Sequence, residues 1–319
     1  MLTRRRTRAG VVALATALSV ASLIYLGTTF EWSEPLKAVR KAHLVTLIVT
    51  TCILQFAFIC VRTLRWQVVV RDTNPSATFG KLYWVTAIAV SLAIVTPGQF
   101  GEAAKVELLR RQGLGTRLAA LGSFALERVL DLLALTSFCL IGLAFGSGLS
   151  ARFPRLPLLV MLLFFVALVL VYFLRPSKAS IRQSRWISIF RSGTGTPLIK
   201  IQMLVLTLAS WCLVAAGWLV SFRAVGIDIS LPAVCWVISL VTVGTLLSLI
   251  PAGVGVADVV AIQSLMALGV PQVDAQAGAL ILRVYAFVVI AFGLSHLPVW
   301  AFVLPNLRTR SHDTRGAEK

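Results

Sequence analysis

Charge is what this sequence lacks most. Only 13% of its 319 residues are Asp, Glu, Lys or Arg, against about a quarter in soluble domains. Apolar stretches of roughly 20 residues lie near 10–30, 42–61, 156–174 and 198–222. Each is long enough to cross a hydrocarbon core of about 30 Å as a helix. Strands that alternate apolar and polar residues are missing, which excludes a membrane barrel. Histidine is scarce: His43, His296 and His312 are far apart and form no ligand motif. The five cysteines (Cys52, Cys60, Cys139, Cys212, Cys235) all sit in apolar stretches, without Cys-x-x-Cys. They read as small buried hydrophobes, not as a disulfide frame or a metal site. No Walker sequence and no Asp-x-Asp is present, and no cofactor is expected. Acids are fewer than bases, 12 against 30, giving a net charge of +18. Nucleic acid is not the partner this implies. The positive residues lie in short segments between apolar runs, as they do beside an anionic cytoplasmic leaflet.

What is present is an all-α, polytopic integral membrane bundle. About six full spans and two re-entrant helical hairpins account for the apolar pattern. A basic N-terminus (1–9) carries Arg4, Arg5, Arg6 and Arg8. The following apolar run is too long for a signal peptide and reads as an uncleaved first span. With the N-terminus in the cytoplasm, Glu31, Glu34, Lys37, Arg40 and Lys41 fall in an outer loop, and a second span returns over 42–61. A single transmembrane domain covers 10–304, with related halves at about 42–146 and 198–304 joined by a linker at about 175–197. A basic tail, 305–319, returns to the cytoplasm. The setting this implies is a plasma membrane with both termini inside.

The charges that remain are concentrated. "TPGQFGEAAKVELLRRQG" (96–113) breaks an apolar stretch of only about 15 residues, too short for a span. A re-entrant hairpin turning at Pro97 and Gly98 keeps its basic residues on the cytoplasmic side. "PAGVGVAD" (251–258) repeats the break: Pro97 and Gly101 are four apart, as are Pro251 and Gly255. Gly253 and Gly255 read as turn residues. An acid follows each break, Glu102 and Asp258. An arginine inside a long helix follows each acid, Arg128 after 26 residues and Arg283 after 25. Entered from opposite sides, the halves form an inverted repeat with broken helices, a transporter plan. "FALERVLDLLAL" adds Glu127 and Asp131, four apart on one helical face beside Arg128. Intramembrane charges must be paired or wet. Pairing of Glu102 or Glu127 with Arg128, and of Asp258 with Arg283 near Tyr285, satisfies this around a central polar cavity. The set reads either as structural ion pairs or as a path for a headgroup or ion. Arg62 and Arg65 beside Trp66 read as an interfacial anchor, or as a phosphate clamp at the cavity mouth.

Four segments in order resemble one family. They are "TPGQFGEAAKVELL", "LERVLDLLAL", "IPAGVGVADVV" and the later "ALGV" with "LILRVYAF". The chain is similar over about 10–304 to the lysylphosphatidylglycerol synthetase transmembrane region, a flippase-like membrane family. The resemblance implies a bundle with re-entrant helices that moves or handles lipids: aminoacylated phosphatidylglycerol, hopanoids or polyprenyl-linked sugars. The positions matching its motifs are Pro97, Gly101, Glu102, Lys105, Glu127, Arg128, Asp131, Pro251, Gly253, Gly255 and Arg283. Asp258 stands where the family usually has Glu, and Ala257 where Arg is common. The soluble aminoacyltransferase domain of full synthetases is not expected here.

Together these readings imply a lipid translocator of the bacterial inner membrane. Its partner is a membrane lipid of anionic, aminoacylated or polyprenyl-phosphate type. Glu102, Glu127 and Asp258 are its candidate proton carriers. An envelope-lipid biosynthesis enzyme and a second copy of the chain are further partners open to it. The alternatives are a membrane-embedded transferase with a polyprenyl-linked donor and an accessory subunit of an envelope-lipid enzyme.

Overall fold

The computed structural model describes residues 32–73, 77–96, 101–102, 104–111, 117–146, 161–167, 197–248 and 250–299, with residue 169 and a few positions from 20 to 30. Among these the chain is helical and has no strand. The expected first span (10–30), the span at 156–174, the linker, both basic termini, and Pro97 with Gly98 fall largely or wholly outside the described residues.

Among the described residues the architecture is carried by α1 Ser33–Lys41, α2 Leu44–Thr73, α3 Phe79–Val95, α4 Ala104–Arg111, α5 Arg117–Phe145, α6 Pro197–Ala224, α7 Leu231–Ser248, α8 Val256–Ala267 and α9 Gln272–Leu294. Stretches of α2, α5, α6, α7 and of α9 with its extension to Val299 are long and apolar enough to cross a membrane; α3 and α8 are shorter apolar helices. The protein is a polytopic helical membrane protein.

Two features depart from the sequence reading. The segment expected to be an outer loop folds into α1, whose Pro35 and Val39 are buried. Val39 joins Leu47 of α2 and Ile281 of α9 in a small core. On the exposed side Lys37 bonds Glu34 at 2.7 Å and lowers that carboxyl's pKa. The second correction concerns α2. The span expected over 42–61 runs to Thr73. Uncharged residues alone marked its end too early, because Arg62 and Arg65 turn into the protein.

Two helices precede and two follow each break: α2 and α3, then α4 and α5, around the first; α6 and α7, then α8 and α9, around the second. The long helices α2 and α6 pack on each other. The helix before each break packs on the last helix after the other break, α3 on α9 and α7 on α5. Small residues permit these contacts, as expected where lipid removes the hydrophobic drive between helices. Gly142 of α5 lies against Trp236 of α7, and Gly293 of α9 against Ser91 of α3. A Cβ at either glycine would run into its neighbour. Ser239 of α7 also donates to the Leu135 carbonyl of α5 at 2.8 Å. The main core lies around α5 to α9, with Phe138, Trp211, Phe222, Trp236 and Leu265 among its large side chains.

Candidate functional site

Seven charged side chains meet where α2, α5 and the first break converge. Arg62 and Arg65 come from α2, Glu102 from the turn after the break, Lys105 from α4, and Glu127, Arg128 and Asp131 from α5. Six of them are between 0% and 6% exposed; the Arg128 side chain retains 26%. Helical spacing explains the convergence. Arg62 and Arg65 are three apart, as are Glu102 and Lys105, and Glu127 and Asp131 are four apart, so each pair shares a face.

The bonds form one network. Glu102 Oε1 accepts from Arg62 Nη1 at 2.8 Å and Lys105 Nζ at 2.7 Å, and its Oε2 accepts from Arg128. Asp131 accepts from Arg62 at 3.3 Å, Arg65 at 2.9 Å and Trp211 Nε1 at 3.3 Å, and pairs with Arg128 at 2.8 Å. Glu127 Oε2 accepts from Arg65 Nη2 at 2.8 Å and Lys105 at 3.2 Å. Arg65 also reaches Thr207 of α6 at 3.0 Å. Aromatic faces back three of the cations: Phe58 for Arg62, Trp66 for Lys105 and Phe124 for Arg128, at 5.1 to 5.5 Å. Four cations thus face three carboxylates. Among the described residues Arg62 Nε, Arg65 Nε and Glu127 Oε1 are buried in the network without a hydrogen-bond partner. A fourth, Gln55 Nε2, lies on α2 seven residues before Arg62 and therefore on the same face.

The interfacial-anchor reading of Arg62 and Arg65 is wrong: both are buried at the centre of the network. Thr207, Trp211 and Gln55 were missed. Their signal is faint, since each is a single polar group in a long apolar run. Gln55 alone had a usable cue, its helical register with Arg62.

Asp258 and Arg283 pair at the second break. Arg283 Nε and Nη2 meet the two carboxylate oxygens at 2.6 Å each. Arg283 also donates to the Ala252 and Gly253 carbonyls at 2.9 and 3.2 Å, and Asp258 accepts from Gly255 N–H at 3.0 Å. The arginine therefore straps the turn Pro251–Gly253 to the start of α8. That turn needs the strap: Ala252 has φ +54°, Gly253 +59° and Gly255 +84°. Only glycine occupies this region without strain. At the first break Gly101 packs on the carbonyl of Leu92, and its N–H donates to Thr96 Oγ1 at 2.6 Å. Tyr285 lays its ring on Gly217 of α6. Among the described residues no group of His, Cys, Asp and Glu is placed to hold a metal ion.

A search of curated proteins finds no match for this chain. A protein-family model does match, over residues 11–293, and spans the broken helices, the charge network and the Asp258–Arg283 clasp. The chain belongs to the family described as the lysylphosphatidylglycerol synthase TM region, a membrane domain associated with lipid modification or translocation.

Proposed function

We propose that the protein is a lipid translocator of the bacterial inner membrane, with both termini cytoplasmic, handling a phosphate-bearing or aminoacylated headgroup. The observation that carries this reading is the buried network at the first break, which among the described residues has one cation in excess and donors without an acceptor. Unpaired charge at membrane depth is costly. An anionic headgroup supplies what the network lacks. Arg128, the most exposed member, is the point of entry. The reciprocal packing of the two halves supports alternating access between inverted repeats. The clasp at the second break serves to hold the turn, because its arginine is already engaged by four bonds.

The test is transbilayer movement in proteoliposomes of fluorescent anionic, aminoacylated and polyprenyl-phosphate lipids. The expected outcome is movement of one class, slowed about tenfold or more in Arg128→Ala, the equivalent of one charge-assisted hydrogen bond. A folded protein that moves none of them overturns the translocator and leaves the transferase or the accessory subunit.

A further inference from the structure

The three carboxylates of the network are not equivalent. Both oxygens of Glu102 and both of Asp131 are occupied by cations. Glu127 uses only Oε2, for Arg65 and Lys105. Its Oε1 is buried, accepts nothing, and belongs to a residue only 1% exposed. A buried acceptor without a donor costs about 1–3 kcal/mol. In the same network, among the described residues, Arg62 Nε and Arg65 Nε are buried donors without an acceptor. The network therefore lacks two complementary things at once: an acceptor for the arginines and a donor for Glu127.

We propose that Glu127 is the residue by which this site selects its headgroup, by accepting a hydrogen bond from a hydroxyl or ammonium group that the lipid carries beside its phosphodiester. The proposal rests on the reading that the site holds a phosphate-bearing headgroup, and it narrows that class. The phosphodiester brings one negative charge, matching the single cation in excess, and its oxygens serve the arginine Nε groups. A phosphodiester without a donor leaves Glu127 Oε1 unmet and binds more weakly.

The experiment compares phosphatidylglycerol, whose glycerol carries two hydroxyls, with phosphatidylmethanol, which has the same phosphodiester and no donor. Binding to the purified full chain in detergent is followed by native mass spectrometry, so no transport is needed. The expected result is a preference of about tenfold or more for phosphatidylglycerol, the size of one hydrogen bond to a charged group. Glu127→Gln removes that preference. Its carbonyl must face Arg65 and Lys105, so its amide donor takes the free position and the acceptor is lost. The readout is the ratio of the two affinities within each protein, since losing the Glu127 charge alters anion binding in general, and a variant that has lost its fold binds neither lipid.

Equal binding of the two lipids by the unaltered protein overturns the proposal, because water alone then satisfies Glu127. A preference that survives in Glu127→Gln also overturns it. Binding of neither lipid removes the headgroup reading as well. Selective binding without transbilayer movement keeps Glu127 in this role and removes only the translocator.

Discussion

Arg65 is wholly buried and bonds Glu127, Asp131 and Thr207 on two other helices. Truncating it leaves two carboxylates short of a partner in a dry site. Arg65→Ala should therefore destabilise the protein by about 3–5 kcal/mol, read as a lowered thermal midpoint in detergent. Arg128→Ala should cost clearly less stability, because the Arg128 side chain is 26% exposed and its partners keep other cations. Equal losses would show that Arg128 is structural. The pairing of Asp258 with Arg283 was legible in the sequence; for Arg128 it left Glu102 and Glu127 as alternatives, and the bond is to Glu102. An acid beside a helix break and an arginine in an apolar helix have few other partners. The role of Arg62 and Arg65 was not legible. They stand where an uncharged run ends, and a single chain does not say whether the next helical turn meets lipid headgroups or the face of another helix. Tyr285 fails to read for a related reason: its seat is Gly217, a residue with no side chain to announce it.

At the scale of helices, the contacts depend on missing side chains. Gly293→Ala places a methyl into Ser91 and against the Ala87 carbonyl. Overpacking of this kind costs about 1–3 kcal/mol. Ser91→Gly in the same chain should restore part of the loss, and thermal unfolding of the two variants checks it. No recovery would mean that α3 and α9 do not meet there. Ala252→Gly should act the other way and raise stability by about 1 kcal/mol, since Ala252 sits at φ +54°. Helix limits read from composition came within two residues for α6, expected over 198–222 and found at Pro197–Ala224. They failed for α1 and for the inner end of α2. Hydropathy marks where charge begins, and in both places the helix continues through charge.

The molecule as a whole has an orientation that can be measured. In a background without native cysteines, a cysteine at Gly269, in the turn between α8 and α9, should react with an impermeant maleimide in intact cells. One at Lys200, near the start of α6, should react only after the membrane is opened. The reverse pattern would turn the proposed topology over. The crossed packing has a different consequence, for synthesis. The chain emerges N-terminal end first, so α3 is made well before α9, the helix it packs on. The charge network of the first half is complete in sequence at Asp131, but Thr207 and Trp211 of α6 arrive later, and α9 last of all. During that interval its ions have no roof and must be held by water, lipid or the insertion machinery. A ribosome stalled before α9 should thus present α3 unpartnered, a species for quality-control proteases to recognise.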